Sequence, residues 1–339
     1  MNANAMTDLP RVREWHSVDR ATFVDKILPL NQPAVLRGVV AQWPLVQKAR
    51  VSANEVGAYL RSFDRGRPVA LMWADPSQAG RFFYRDDMRG FNFERRKDAI
   101  GSAIDRLLEH LQDLNAPTMY IESMPIADFL PELDQQNRLE LLDNTQPRIW
   151  IGNATTVQTH FDLSRNLACV AAGRRRFTLF PPNQLPNLYV GPFDFTVSGP
   201  PVSMVSVRNP DFARYPRFRE ALANAQVAEL NAGDAIYIPF AWWHNVEALE
   251  AFNVLINYWW NDTPAFSSPF DSMLHAVLAI RDLPDEQRDV WRGLFEQYVF
   301  KVNGDPMEHL APAHRGLLGT LTAESVNYIK TTLRKAFSR

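Results

Sequence analysis

The sequence predicts a mainly β protein, a barrel or jelly roll with helices before and after it in the chain. Three observations indicate this fold class. Short runs rich in β-branched and aromatic residues follow one another between about residues 118 and 262, turn residues such as Ala232-Gly233-Asp234 separate them, and apolar residues recur at helical spacing on both sides. Many short strands with regular turns are typical of barrels and jelly rolls.

The first part of the chain contains the predicted flanking helices. Residues 1–10 read as a disordered tail, and a short helix, a turn at Asn31 to Pro33 and an apolar strand from Ala34 to Leu36 follow it. Two later segments, VSANEVGAYLRSF and RKDAIGSAIDRLLEHLQDL, carry apolar residues at helical spacing. The second segment places along one face Ile100, Ile104, Leu107, Leu108 and Leu111.

The middle of the chain supplies the predicted strands. Seven runs carry the pattern: TMYIES, RIWIGN, NLACVAAG, RFTLFPP, DAIYIP, NVEAL and FNVLINYWW. After Pro264 the pattern becomes helical again, and a proline at 284 suits a first turn. Apolar stripes predict two helices there, through Val290, Trp291, Leu294, Phe295, Tyr298 and Val299, and through Val326, Ile329, Leu333 and Phe337. We expect these helices to pack on the β domain or on another subunit.

Composition narrows the class of protein. A chain of 339 residues fits one large domain with an extension or two domains. The formal net charge is −2 and no basic run is longer than three residues, as in Arg174-Arg175-Arg176, which argues against general nucleic-acid binding. The single cysteine, Cys169, excludes an intrachain disulfide and favours a reducing compartment. Without a signal pattern or an apolar run of about 18 residues, no membrane segment is predicted, and we expect a cytoplasmic protein.

A His-x-Asp pair lies within a strand-like run, TTVQTHFDLSRNLACV. Because residues i and i+2 of a strand point to the same side, His160 and Asp162 can converge on one point. A non-haem Fe(II) site needs two imidazoles and one carboxylate. His244, separated from Asp162 by 81 residues, begins another strand and is the candidate for the third ligand. Spacing alone leaves a chance pair and a metal site both open.

Alternation also singles out polar groups on apolar faces. In RRRFTLF, Arg175 shares a face with Phe177 and Leu179. A buried guanidinium needs an anion, which a dicarboxylate co-substrate would supply. An internal salt bridge, or a register that leaves Arg175 in solvent, would explain the same pattern. Asn257 shares a face with large apolar residues, and it, Tyr120 and Asn166 could be pocket residues or satisfied core residues.

The segments THFDLSRNLACVAAGRRRFTLFPPNQLPNLY, AGDAIYIPFAWWHNVEAL and INYWW, with PAVLRGVVAQWP and FFYRDDMRGFNF upstream, resemble a known family. They are similar to the JmjC-type, cupin-like 2-oxoglutarate oxygenases, most closely to the subgroup of the asparaginyl hydroxylase that inhibits hypoxia-inducible factor. The resemblance covers roughly residues 10–262. It implies a double-stranded β-helix core with flanking helices, and a homodimer formed by C-terminal helices.

The resemblance also implies roles for individual residues. His160, Asp162 and His244 would bind Fe(II), and Arg175 would bind the distal carboxylate of 2-oxoglutarate. Tyr120, Asn166 and Asn257 would hydrogen-bond or line the co-substrate pocket, and Trp259 would lie near the metal. No further catalytic residue is implied. The family's reaction consumes O₂ and 2-oxoglutarate, releases succinate and CO₂, and hydroxylates an unactivated C–H bond.

Three positions depart from the family pattern. Val157 stands where members often have a threonine, so a hydrogen bond to the co-substrate would be missing or supplied by Thr156 or Thr159. Arg175 replaces a lysine, which keeps the charge and shifts the donors. Glu122 replaces a glutamine that contacts the peptide substrate, so the hydroxylase's substrate preference does not carry over.

The expected organisation is a catalytic domain at 11–262, with its barrel at about 118–262, and a helical dimerisation segment at 263–339. The expected function is Fe(II)- and 2-oxoglutarate-dependent hydroxylation of a protein side chain or a small molecule. A cupin-like metal-binding sensor without turnover is one alternative. An N-demethylase that uses the same chemistry is another. The sequence does not identify the substrate.

Overall fold

A computed structural model of the chain describes residues 9–197, 199–261, 266 and 268–337. Contacts divide the chain into two compact units, Met1–Asn261 and Asp262–Arg339. Among the described helices, none combines the length and the apolar character that crossing a membrane requires.

The first unit is built on two β-sheets. Nine strands form one sheet in the order β1-β2-β11-β8-β13-β6-β5-β3-β4, and four form the other in the order β10-β9-β12-β7. The strands are β1 Glu14–His16, β2 Ala34–Arg37, β3 Pro68–Ala74, β4 Glu94–Ala99, β5 Thr118–Pro125, β6 Pro147–Gly152, β7 Thr156–His160, β8 Arg165–Ala172, β9 Arg174–Phe180, β10 Gln226–Asn231, β11 Ala235–Ile238, β12 Trp243–Ala248 and β13 Asn253–Trp260. The β1–β2 pairing is parallel, and the other pairings between these strands are antiparallel.

Side chains from both sheets meet in one apolar cluster. Val170 and Leu255 belong to the larger sheet, and Phe177, Leu179 and Leu230 to the smaller one, and all five are buried there. Because a strand alternates its side chains between two faces, the sides of the sheets that face each other are apolar. This arrangement confirms the predicted mainly β fold with a jelly-roll core. The seven runs predicted as strands in the middle of the chain lie in strands of these sheets.

Helices cover the other face of the larger sheet. The helices of the first unit are α1 Arg20–Thr22, α2 Pro44–Val51, α3 Ala53–Arg61, α4 Ile100–Glu109, α5 Ile126–Phe129, α6 Leu133–Gln136 and α7 Phe218–Ala223. A π-helix at Phe23–Ile27 and 3-10 helices at Leu28–Leu30, Pro76–Gln78 and Pro182–Asn187 complete the regular structure. Leu45, Val56, Leu60, Ile104 and Leu107 are buried in one core cluster with the sheet. Each such side chain contributes about 1.5–3 kcal/mol when fully buried.

Four strands of the first unit, β1, β3, β4 and β10, were not predicted. β4 occupies residues that we assigned to the start of a helix, and the helix α4 begins only at Ile100. β4 is the edge strand of the larger sheet and pairs only with β3. Its charged side chains are exposed, so it carries no apolar periodicity, and pairing with β3 decides its structure.

The last two residues of the predicted tail, Leu9 and Pro10, contact the rest of the first unit. Leu9 contacts a buried cluster, and the carbonyl of Pro10 accepts a hydrogen bond from Val227 N at 2.9 Å. The remainder of the tail, residues 1–8, lies outside the described residues.

The second unit is helical, as the sequence predicts. Its helices are α8 Pro269–Ala279, α9 Asp285–Tyr298 and α10 Ala323–Phe337, with 3-10 turns at Pro312–His314 and Gly316–Leu318. Pro284 precedes the first residue of α9. Of the described residues of this unit, none is buried, and the apolar stripe of α9 includes the exposed side chains Val290, Trp291 and Leu294.

Candidate metal centre

Two neighbouring strands of the smaller sheet carry the histidines of the His-x-Asp…His pattern. β7 and β12 are antiparallel, and His160 at the end of β7 is the direct partner of His244 in β12. A β-bulge lies between this pair and the next one, Val157 with Val246. On β12 the two partners are two residues apart and share a face, so the bulge also turns Val157 and His160 to one side although they are three residues apart.

The three predicted ligands come together. One atom each from His160, Asp162 and His244 lies within 4.8 Å of the others. His244 Nε2 is 3.6 Å from Asp162 Oδ2, and the two imidazole rings are 4.3 Å apart between centroids. Three such groups around one point can hold a divalent cation.

Backbone carbonyls fix the orientation of both imidazoles. His160 Nδ1 lies 2.8 Å from the carbonyl oxygen of Gln158, and His244 Nδ1 lies 3.0 Å from that of Trp242. A proton on each Nδ1 satisfies these contacts, so that each Nε2 is left with its lone pair. Burial, and next the neighbouring His160, lower the pKa of His244 to about 4, so its imidazole is neutral at physiological pH.

Asp162 is held by two predicted pocket residues. Asn166 Nδ2 donates to Asp162 Oδ2 at 3.0 Å, and Trp259 Nε1 donates to the same oxygen at 3.2 Å. Such partners orient a carboxylate ligand and influence metal affinity. Asn166 and Trp259 therefore lie beside the metal centre, where their observed hydrogen bonds go to Asp162.

Arg175 points into the same region. Its side chain is 1% exposed, which confirms the predicted inward face, and it lines an inner cavity of about 50 Å³ together with all three ligand candidates. Its neighbours Arg174 and Arg176 point outward and pair with Glu250 and Glu229. The solvated register that the sequence left open is therefore wrong.

The charge of Arg175 is not balanced by a salt bridge within the described residues. Nε and Nη2 of its guanidinium have no hydrogen-bond partner there, and the guanidinium interacts electrostatically with the hydroxyl of Tyr120. Burial lowers the pKa of Arg175 and raises the pKa of Tyr120 to about 12. The cavity thus contains a buried cation with two free donor nitrogens, which suits a carboxylate.

Two residues that we did not single out connect the site. Trp150 Nε1 donates to Asn257 Oδ1 at 2.7 Å, and Asn257 Nδ2 donates to Asn166 Oδ1 at 3.3 Å. Gln158 supplies the carbonyl that orients His160. The alternation of RIWIGN would have pointed to Trp150, whereas the Gln158 contact depends on the backbone path and has no sequence signal.

An outer cavity of about 210 Å³ adjoins the metal ligands. Its wall is mainly apolar and aromatic, and it includes Phe82, Trp150, Val157 and Glu122. The carboxylate of Glu122 lies 3.9 Å from the guanidinium of Arg95.

Val157 places methyl groups in both cavities, where family members often carry a hydroxyl. Thr156 lines the outer cavity, and Thr159 is fully buried with a hydroxyl that lacks a partner among the described residues. Neither threonine lines the inner cavity.

Comparison with known proteins agrees with this architecture. Lysine-specific demethylase JMJ31 of Arabidopsis thaliana is 28% identical over 300 residues, covering 77% of this chain and 52% of the relative. Lysine-specific demethylase 8 of Xenopus tropicalis is 27% identical over 259 residues, covering 75% and 53%. The tRNA wybutosine-synthesizing protein 5 of Gallus gallus is 32% identical over 149 residues, covering 39% and 44%. The chain spans about half the length of these relatives.

The family model described as a cupin-like domain matches residues 20–266, more than half of the chain. The match includes both sheets apart from β1, and all three candidate ligands. The chain therefore belongs to the family of cupin-like domains.

Proposed function

We propose that this chain is an Fe(II)- and 2-oxoglutarate-dependent dioxygenase that hydroxylates a protein side chain or a small molecule. In the balanced reaction, a C–H bond, O₂ and 2-oxoglutarate give an alcohol, succinate and CO₂. Bound Fe(II) and 2-oxoglutarate supply the oxidising chemistry. The protein's contribution is to hold the reactants in one dry site and to position the C–H bond.

The donor set fits iron. Two imidazoles and one carboxylate are the ligands of mononuclear non-haem Fe(II) sites, in which the other positions stay open for co-substrate and oxygen. His160, Asp162 and His244 would hold the metal, and Cys169, the one thiol, is buried and is not among the ligand candidates. A structural zinc site of four protein ligands is therefore not supported by the described residues.

The observation that carries the proposal is the buried guanidinium of Arg175. An uncompensated buried charge costs about 3–5 kcal/mol, so a fold retains one where a ligand neutralises it. The inner cavity contains both Arg175 and the three metal ligands. A dicarboxylate bound there would pair one carboxylate with Arg175 and Tyr120 and direct the other end toward the metal.

The outer cavity would receive the substrate. Its aromatic wall excludes water from the site, and Glu122 provides an acceptor for a substrate N–H or a cation. The motifs quoted above support a hydroxylase of the asparaginyl hydroxylase subgroup. We propose that the chain belongs to this subgroup.

N-demethylation is the second candidate. Two relatives are named lysine-specific demethylases. A carboxylate beside the rings of Phe82 and Trp150 is also suited to a methylated cation. Oxygenation of a carbon bound to nitrogen gives an unstable hydroxymethyl group, which leaves as formaldehyde and frees the amine.

The test begins with anaerobic protein. Fe(II) and 2-oxoglutarate are added together, and we expect a visible metal-to-ligand charge-transfer band that is missing in His160→Ala. On admission of O₂, succinate should form, faster when a substrate is present. Folded protein that binds Fe(II) but gives neither the band nor succinate would instead be a metal-binding sensor.

The substrate is sought in the same system. Cell lysate treated with wild-type enzyme is compared by mass spectrometry with lysate treated with His160→Ala. A peptide or metabolite that gains one oxygen atom supports hydroxylation. A product that loses a methyl group while formaldehyde appears supports demethylation.

We also propose that residues 263–339 form a homodimer. The exposed apolar side chains of α9 and α10, including Val290, Leu294 and Phe337, favour a partner that covers them. A second copy of the chain would bring the same helices to the interface.

A further inference from the structure

A third cavity of the first unit contains none of the three metal-ligand candidates. This lateral cavity has a volume of about 530 Å³, and its wall includes Arg81, Arg85, Arg214 and Tyr215. The lateral and outer cavities lie on two sides of the chain at residues 81–82, since Arg81 lines the lateral cavity and Phe82 lines the outer one. The volume is in the range of small-molecule sites, about 300–1,000 Å³.

Arg81 has the features expected of an anion-binding residue. Its guanidinium lies over the ring of Phe83, 3.7 Å from the centroid, and its Nη2 is buried without a hydrogen-bond partner among the described residues. Its pKa is lowered by burial, which means that the charge lacks full hydration. A partly desolvated guanidinium with a free donor is suited to an oxyanion.

Gln158 holds the guanidinium of Arg81 in position. The Nε of Arg81 donates to Gln158 Oε1 at 3.2 Å. The amide nitrogen of Gln158 donates in turn to the carbonyls of Ser203 and Val205, at 2.8 and 2.7 Å. Because Gln158 is held by two carbonyls, the guanidinium is already oriented, and a ligand would bind it with little loss of side-chain freedom.

The other charges at the cavity leave a positive balance. Asp86 and Asp211 are the acidic members of the wall, against three arginines. Asp211 Oδ1 already accepts hydrogen bonds from the backbone of Ala213 and Arg214, both at 3.0 Å. Within the part of the chain that the structure describes, no ion pair neutralises Arg81 or Arg214.

We propose that the lateral cavity binds the phosphate group of a small molecule, with Arg81 as its main donor and Arg214 and Tyr215 beside it. A doubly charged oxyanion matches two cationic side chains, and the aromatic rings of the wall would contact the organic part. A small molecule fits better than a nucleic acid, because the chain has a net charge of −2 and no extended basic stripe. This site is additional to the proposed oxygenase centre and does not depend on it.

The experiment uses the full-length, metal-free protein and inorganic phosphate at constant ionic strength. Isothermal titration and ³¹P line broadening should show saturable binding. Arg81→Gln should weaken binding by about tenfold or more, as expected for loss of a charge-assisted hydrogen bond. Arg214→Gln, at the exposed edge, should give a smaller loss. Its fold is not at risk, so it tests the site even if Arg81→Gln fails to fold.

Two controls locate the bound phosphate. Arg89→Gln removes an exposed arginine near the cavity that is not part of its wall, and it should bind phosphate like the wild type. Arg175→Met should also bind normally, because that residue belongs to the inner cavity.

Phosphate binding that Arg175→Met abolishes, or that neither Arg81→Gln nor Arg214→Gln weakens, would overturn the assignment. Absence of saturable binding to the wild type would do the same. A phosphoserine peptide that binds more tightly than both inorganic phosphate and glycerol 3-phosphate would exclude a small-molecule ligand.

Discussion

His160 and His244 are cross-strand partners, and their imidazole rings lie 4.3 Å apart between centroids. Residues that oppose each other in an antiparallel pair have Cβ atoms about 4.5–5.5 Å apart, so the sheet itself sets their spacing. The hydrogen bonds from Nδ1 to backbone carbonyls then decide which nitrogen of each ring faces the centre. Only Asp162 reaches the site from a loop after its strand.

The first prediction concerns this pair. His244→Ala should weaken Fe(II) binding at least about 100-fold, because even groups that only orient a ligand affect affinity by about 10–100-fold. Anaerobic titration calorimetry measures the change. His110→Ala is the matched control, since His110 lies partly exposed beside Asp113, away from the site. Equal loss in both variants would contradict a site at His244.

A second prediction separates binding from stability at Arg175. Arg175→Met should leave the metal-free protein as stable as the wild type, or more stable by about 1–4 kcal/mol, because it removes an unpaired buried charge. Urea unfolding measures this. The same variant should lose the stabilisation that Fe(II) with 2-oxoglutarate gives the wild type, about 2.7 kcal/mol at 100 times Kd.

Arg174→Met is the control for this variant. Arg174 forms a largely exposed pair with Glu250, so its loss should cost less than about 1 kcal/mol and leave co-substrate binding intact. A strongly destabilised Arg175→Met would mean that the guanidinium is paired in the folded protein.

The third prediction concerns the turn between β8 and β9. Gly173 has φ +74°, and a Cβ there would meet the side chain of Asn253 and lie 2.8 Å from the carbonyl oxygen of Phe252. Gly173→Ala should therefore cost about 2–5 kcal/mol from backbone strain and overpacking. Gly66 has φ +71° and no atom within 4 Å of such a Cβ, so Gly66→Ala should cost only about 1–2 kcal/mol. Similar unfolding free energies for both variants would refute the packing argument.

The fourth prediction follows from Cys169. Burial raises the pKa of its thiol, which favours the protonated form in the folded state. Its contribution to stability is complete below the ordinary thiol pKa of about 8.5 and declines as pH rises above that value. Ellman's reagent at pH 8 should react with no thiol in the folded protein and with one in denaturant. Fast labelling of the native protein would contradict the burial of Cys169.

The fifth prediction tests the proposed dimer. Leu294→Glu introduces a charge into the exposed apolar stripe of α9 and should shift the chain from dimer to monomer at micromolar concentration. Light scattering after size-exclusion chromatography gives the mass. Gln287→Glu adds the same charge to an exposed position outside the stripe and should remain dimeric. A monomeric wild type would rule the interface out.

Much of the candidate site could be predicted because strands alternate with a period of two. That rule turned Arg175 inward, as observed, and it predicted that His160 and Asp162 converge, although Asp162 lies in the loop after β7 and reaches the centre from there. It gave no account of the Gln158 carbonyl, which contacts His160 through the local backbone path, or of the hydrogen bond from Trp150 to Asn257, residues far apart in sequence. Such contacts depend on the final packing of the sheets.

β4, at the edge of the larger sheet, could not be predicted from the sequence for a different reason. β4 consists mainly of charged residues, and no apolar face marks it as a strand. Its structure comes from hydrogen bonds to β3, and these are set by the fold as a whole. Asn166 and Trp259 line the inner cavity, and their hydrogen bonds to Asp162 are contacts that the sequence pattern did not indicate.

The bulge in β7 gives this strand one residue more than β12 between the same two cross-strand pairs. Replacing Gln158 or Thr159 changes a side chain and keeps the bulge. Deleting one of them would restore the regular pleat, in which the valine and the histidine, two residues apart, would still share a face. What such a deletion would change is the local bend of the strand, and with it the backbone carbonyl of Gln158 that orients His160.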